Sequence, residues 1–129
     1  GATAVKQQAI FGLDVDVFAP CAMGAIINQQ TLEALRAPVV AGGANNQLAD
    51  ASLAETLRRN ECLYAPDYAI NAGGIIDVYY GRSGGSAAQL KTHIEEIGAT
   101  LTQIFQRADA SGKTTVEIAD QLAEERFAR

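Results

Sequence analysis

The stretch Asp14-Val-Asp-Val-Phe-Ala-Pro-Cys-Ala-Met-Gly24 joins an apolar strand pattern to a loop of small residues. Val15 and Val17 are β-branched, and Pro20 and Gly24 interrupt the run that they begin. Such a run is typical of a buried strand in a parallel sheet. Because ligands of open α/β sheets bind beyond the carboxyl ends of the strands, the stretch predicts a ligand-binding α/β domain.

The same arrangement of strand and loop occurs twice more in the first half of the chain. Residues 38–47 and residues 62–74 each begin with an apolar segment and continue into Gly and Asn. Helical patterns lie between the strands, one after Thr31 and one over residues 50–59. An alternation of strands and helices predicts βαβ units and a parallel sheet.

The second half of the chain is predicted to be mainly helical. Apolar residues recur at helical spacing from Leu90 to Phe105 and predict one long amphipathic helix. Ser111-Gly112 ends this helix, and Thr114 or Thr115 is expected to cap a last one. We therefore predict a single domain over residues 1–129, with βα units to about residue 70 and helices beyond it.

Composition excludes several classes of protein. The chain has 129 residues, 48% of them hydrophobic, and a net charge of −5, which argues against disorder and against nucleic-acid binding. No apolar run approaches the roughly 20 residues of a membrane span, so no membrane partner is expected. Cys21 and Cys62 form no metal or redox motif, and both are predicted to be buried free thiols in a cytoplasmic protein.

Four ordered stretches carry a resemblance to a known family. They are DVFAPCAMGAIIN (16–28), VVAGGANNQLA (39–49), YAPDYAINAGGIIDV (64–78) and ADQLAEERFA (119–128). Together they resemble the leucine, phenylalanine and valine dehydrogenases of the glutamate dehydrogenase superfamily. The resemblance implies reversible NAD-dependent oxidative deamination of a branched-chain or other apolar L-amino acid.

The resemblance also implies that the chain is only part of such an enzyme. No lysine lies in a glycine-rich catalytic context, and the G-x-G-x-x-G fingerprint is missing. The expected fold is half of a Rossmann-like parallel sheet with flanking helices, in which Ala4-Val5 remains from the third strand. The N-terminal catalytic domain would be absent. We therefore assign no catalytic residue, and we expect the isolated chain to be inactive.

By the resemblance, the loop after the first strand passes the ribose and pyrophosphate of NAD. The residues that match this cofactor-binding loop of the family are Pro20, Cys21, Ala22 and Met23. From the residues alone, this segment is also explained as a simple strand stop, and Met23 as a core residue.

Two further loops provide candidate site residues. An Asn amide offers two donors and one acceptor, but Asn also favours turns, so Asn45 and Asn46 each have two explanations. The resemblance makes Asn46 a cofactor and substrate contact and leaves Asn45 as a turn residue. It places Asn71 beside the nicotinamide amide, although Asn71 is equally suited to cap a helix. Ile75 and Val78 share a helix face, either in the core or, by the resemblance, around the substrate side chain.

Two alternatives remain open at this point. The chain is either part of a dehydrogenase or a non-catalytic relic or interaction module of the same fold. In either case strand 14–18 has lost the strand that normally pairs with it, and an uncovered edge is a template for another chain. We therefore expect a homo-oligomer that forms through residues 14–18.

Overall fold

The computed structural model describes residues 1–128 and contains three short strands and six α-helices. A 3-10 helix, Gln7–Gly12, precedes them. In chain order the elements are Val17–Phe18 (β1), Gln29–Ala34 (α1), Val39–Val40 (β2), Leu53–Arg59 (α2), Leu63–Tyr64 (β3), Asp67–Ile70 (α3), Gly73–Ser83 (α4), Ala87–Ser111 (α5) and Thr115–Phe127 (α6). None of these six helices is long and apolar enough to cross a membrane.

The strands form one parallel sheet in the order β1-β2-β3. Val39 of β2 is aligned with Val17 on one side and with Leu63 on the other. Each strand lies within a stretch where an apolar run predicted one, and helices lie between consecutive strands. The predicted α/β class, a parallel sheet with flanking helices followed by a helical region, is confirmed.

The chain divides into two compact units, and the boundary follows Tyr64. The first unit, Gly1–Tyr64, contains the sheet, and its core includes Phe18, Val40 and Leu57. Val40 belongs to the central strand and has no exposed surface, as expected for a strand that is covered on both faces.

The second unit begins at Ala65 and is helical. Its core is formed by α5 and α6, with buried residues Ile104, Ala108, Ile118, Ala119 and Leu122. Helix α5 is long because the whole of residues 87–111 keeps a helical pattern, and left-handed Gly112 ends it. Thr114 then caps α6 with a reciprocal pair of bonds to Glu117, which confirms the first of the two predicted caps.

Three details differ from the expectations. Ala4 and Val5 are exposed and belong to no strand of the described chain, because no neighbouring strand takes up their backbone hydrogen bonds. Cys62 is buried as predicted, but Cys21 is exposed, since the loop leaves the core at the residue after Pro20. The core explanation of Met23 is also wrong, because 67% of this residue is exposed.

The loops after β1 and β2 approach one another closely at Gly42. A Cβ atom on Gly42 would lie 2.2 Å from the Pro20 carbonyl oxygen and 2.5 Å from the Pro20 nitrogen. Both are backbone atoms, which cannot rotate out of the way as the end of a side chain can. Only glycine therefore allows this approach.

The neighbouring Gly43 provides a matched test of this approach. A Cβ atom on Gly43 would meet nothing closer than the Cys21 sulfur at 3.9 Å. Gly42→Ala should lower the free energy of unfolding by about 1–3 kcal/mol through overpacking, whereas Gly43→Ala should change it by less than about 0.5 kcal/mol. Urea unfolding followed by circular dichroism would measure both. Equal losses for the two variants would contradict the steric argument.

Candidate functional site

Two loops of the first unit form the carboxyl edge of the sheet, residues 19–24 after β1 and residues 41–47 after β2. Backbone hydrogen bonds join them, because the Ala44 N–H donates to the Pro20 carbonyl oxygen at 2.9 Å. The Gly43 N–H donates to the Cys21 sulfur at 3.4 Å. The two loops therefore form one continuous surface beyond the strand ends.

Gln47 holds the second loop closed from inside. Its side chain is completely buried, and its Nε2 donates to the carbonyl oxygens of Gly42 at 2.7 Å and Ala44 at 2.9 Å. The Oε1 atom of Gln47 is buried without a hydrogen-bond partner among residues 1–128. The sequence patterns predict no role for this residue. The signal that could have found it is a Gln directly after two Asn residues at a strand end, where the loop carbonyls need donors.

Asn46 has the properties of a binding residue as well as those of a turn residue. Its φ angle is +51°, in the left-handed region that Asn tolerates better than most residues, and its carbonyl oxygen accepts from the Ala25 N–H at 2.6 Å. Its side-chain amide is exposed and has no hydrogen-bond partner among the described residues. The turn conformation expected at Asn45 thus belongs to Asn46, and the Asn46 amide is available to a ligand.

An apolar cavity of about 580 Å³ adjoins the first loop. Its lining includes the four predicted cofactor residues, Pro20, Cys21, Ala22 and Met23, together with Phe18. The structure therefore brings these four residues together around one space. The lining is mostly apolar with few polar groups, as is usual for sites that bind a flat ring or an aliphatic group.

The remaining candidates lie in the second unit. Asn71 follows α3, and its N–H donates to the Asp67 carbonyl oxygen at 2.9 Å. Ile75 and Val78 are on α4 and are 69% and 48% exposed, whereas their neighbour Ile76 is buried. The core explanation of Ile75 and Val78 is therefore wrong. Their contact with a substrate remains a prediction.

The side chains of the first unit whose pKa values are shifted are Asp50, Glu55 and Cys62, and none of them belongs to the two loops. The Arg58 guanidinium donates to Glu55 and, with Arg59, lowers the pKa of that carboxyl to about 2. The Ser52 hydroxyl and N–H hold the pKa of Asp50 below its ordinary value. Burial raises the pKa of the Cys62 thiol. These are structural interactions of a surface helix and a core thiol rather than parts of an acid–base pair.

The chemistry available in the described loops is recognition. Apolar walls, an unbonded amide and close backbone surfaces can orient a ligand. No cluster of three or more metal-ligating side chains occurs within residues 1–128. The geometry therefore fits a ligand-binding surface at the carboxyl edge of the sheet.

Comparison with known proteins agrees with this description. A model of the Glutamate/Leucine/Phenylalanine/Valine dehydrogenase family matches residues 1–126. The L-tryptophan dehydrogenase of Nostoc punctiforme is 45% identical over 128 residues, which cover 98% of this chain and 36% of that protein. The leucine dehydrogenase of Bacillus cereus is 40% identical over 128 residues, covering 99% of this chain and 35% of that protein.

A solved structure gives the same result for the fold. The crystal structure of L-tryptophan dehydrogenase from Nostoc punctiforme matches with a TM-score of 0.94 and 44% identity. The match covers 98% of this chain and 38% of that one. The chain thus spans little more than a third of the length of the relatives that it matches.

The role of Gln47 leads to a stability prediction. Gln47→Leu keeps the volume but removes two hydrogen bonds from buried carbonyl groups, and it also removes the unpartnered Oε1. Two lost hydrogen bonds of about 1 kcal/mol each exceed the relief of about 1 kcal/mol from removing the unpartnered Oε1, so we expect a net loss of about 1 kcal/mol in the free energy of unfolding. Gln30→Leu, on the exposed face of α1, is the control and should change it by less than about 0.5 kcal/mol. A Gln47→Leu protein as stable as the control would refute this role.

Proposed function

Because the chain belongs to the Glutamate/Leucine/Phenylalanine/Valine dehydrogenase family, we propose that it forms part of the NAD-binding domain of an amino acid dehydrogenase. The parent reaction is the reversible oxidative deamination of a branched-chain or other apolar L-amino acid. The observation that carries this proposal is a match over nearly the whole chain to relatives named for leucine and tryptophan. We place the parent enzyme in the cytoplasm, in keeping with the free thiols of Cys21 and Cys62.

The residues of the first unit fit a nicotinamide cofactor. The unbonded Asn46 amide can both donate to and accept from a carboxamide. When bound, NAD accepts the hydride, while the protein supplies binding and orientation. Pro20, Cys21, Ala22 and Met23 would line the ribose and pyrophosphate side.

The residues of the second unit fit an apolar substrate. Ile75 and Val78 are aliphatic, exposed and on one face of α4, so they are free to contact a side chain outside the unit. Asn71 precedes this helix and would face the nicotinamide amide. Such a wall discriminates among substrates by size, with about 1–3 kcal/mol for each methylene.

A non-catalytic module of the same fold is the alternative, and turnover discriminates between the two. The 129 residues can replace the matching third of the Bacillus cereus leucine dehydrogenase, with which they are 40% identical. NADH formation from leucine by this chimera supports the proposal. A chimera that folds and assembles but never produces NADH would favour the module. The 129-residue chain by itself should produce none, because it has neither the phosphate-binding fingerprint nor a catalytic lysine context.

Two neighbouring residues test the assignment of Asn46 within that chimera. Asn46→Ala should lower kcat/KM by roughly 5- to 150-fold, the cost of about 1–3 kcal/mol for a buried polar group left unpaired. Asn45→Ala is the matched control and should have a much smaller effect. Steady-state kinetics with leucine and NAD would compare them. Equal losses at both positions would leave Asn46 as a turn residue only.

We also propose that β1 mediates self-association of this chain. Within the described residues β1 pairs only with β2, and Val17 is 47% exposed at the open edge. Residues 4 and 5 form no strand that could cover this edge. An uncovered apolar edge favours pairing with another copy.

The edge can be blocked with a single charge. Light scattering should show a dimer or larger assembly for the native chain and a monomer for Val17→Lys, because a lysine on an edge strand opposes pairing. Val5→Lys, equally exposed but outside any strand, should assemble like the native chain. A native chain that is a stable monomer, with fast amide exchange at residues 14–18, would disprove the edge as an interface.

A further inference from the structure

A second cavity lies within the second unit and is separate from the candidate site. It has a volume of about 280 Å³, which is suited to a molecule of amino acid size. Its floor is apolar and includes the buried side chains of Ile76, Ile104 and Leu122. These residues come from α4, α5 and α6, so three helices enclose the apolar end.

The opening of this cavity is polar and charged, in contrast to its apolar floor. The polar part of its lining includes a carboxylate, a hydroxyl and a guanidinium, from Glu96, Thr100 and Arg126, together with Tyr68 and His93, and the side chains of Glu96 and Arg126 are exposed. The Arg126 Nη2 donates to the Thr100 Oγ1 at 3.4 Å, so the positive charge lies beside Thr100. Glu96 precedes Thr100 by one turn of α5, about 6 Å along the helix axis. Neither Glu96 nor Arg126 forms an ion pair within residues 1–128.

We propose that this cavity binds a free α-amino acid with an apolar side chain. The carboxylate of the ligand accepts hydrogen bonds from Arg126 and Thr100, and its ammonium group donates to Glu96. The side chain contacts Ile104 and Leu122 on the floor. A neutral apolar molecule would form no ion pair with Glu96 or Arg126, and a sugar would place hydroxyl groups against the apolar floor. The combination therefore favours a zwitterion with an apolar side chain.

This site is additional to the substrate contacts proposed above. Those contacts involve the exposed Ile75 and Val78, whereas the cavity is lined by the buried Ile76. A ligand at the cavity touches α4, α5 and α6 together. Its binding therefore favours the packed arrangement of these helices, which is how an effector stabilises one state of a protein.

Two probes that differ in one group test the proposal on the 129-residue chain. L-leucine carries both charges, whereas 4-methylpentanoate carries only the carboxylate. Titration followed by amide NMR should give a Kd for leucine on the order of 1 mM, with shifts in α5 and α6. Glu96→Gln should weaken leucine about threefold to tenfold and should not weaken 4-methylpentanoate, whose negative charge it no longer repels, whereas Arg126→Gln should weaken both.

Controls separate this site from the substrate contacts. Arg82→Gln, on the exposed surface of α4 and outside the cavity lining, should bind leucine like the native chain. The proposal is overturned if leucine fails to bind at about 20 mM, or if its Kd responds to Ile75→Ala but not to Glu96→Gln and Arg126→Gln. Neither outcome bears on NADH formation, so the proposed function is tested independently.

Discussion

The contact of Gly42 with the backbone of Pro20 is the constraint on which the carboxyl edge of the sheet depends. Because no side chain fits between the two loops, the chain after β2 lies directly against the chain after β1. Gln47 can then reach the carbonyl oxygens of Gly42 and Ala44, and Asn46 is left in a left-handed conformation with its amide outward. The exposed Asn46 amide is thus oriented by a glycine four residues before it in the sequence.

Much of the fold could be predicted because its signals are local. Apolar runs that end in Pro or Gly predicted all three strands, and the capping residue Thr114 predicted the start of α6. The strand expected at Ala4-Val5 was wrong, because a strand needs a neighbour and no local pattern shows whether one is present. The prediction that Cys21 is buried was wrong for a related reason, because the burial of a loop residue depends on the loop that packs against it.

The candidate site could be predicted only in part. The residues Pro20 to Met23 share one cavity, as a strand-end loop would suggest. Helical spacing correctly put Ile75 and Val78 on one face, but spacing alone does not tell whether that face is toward the core or toward solvent. Gln47 was missed because its partners are the backbone carbonyl groups of Gly42 and Ala44, to which only its position after two Asn residues at a strand end points.

The capping of the helices has a consequence for the order in which the chain folds. Ser86 and Thr114 cap α5 and α6, and their bonding partners are only three residues away, so the starts of these two helices are stabilised by local contacts. The sheet instead requires Val39 to meet Val17 and Leu63, which are distant in the chain, and such contacts form slowly. The sheet, which leaves the ribosome before α5 and α6, is therefore expected to form more slowly than these two helices. In the interval its apolar strands are exposed to other nascent chains.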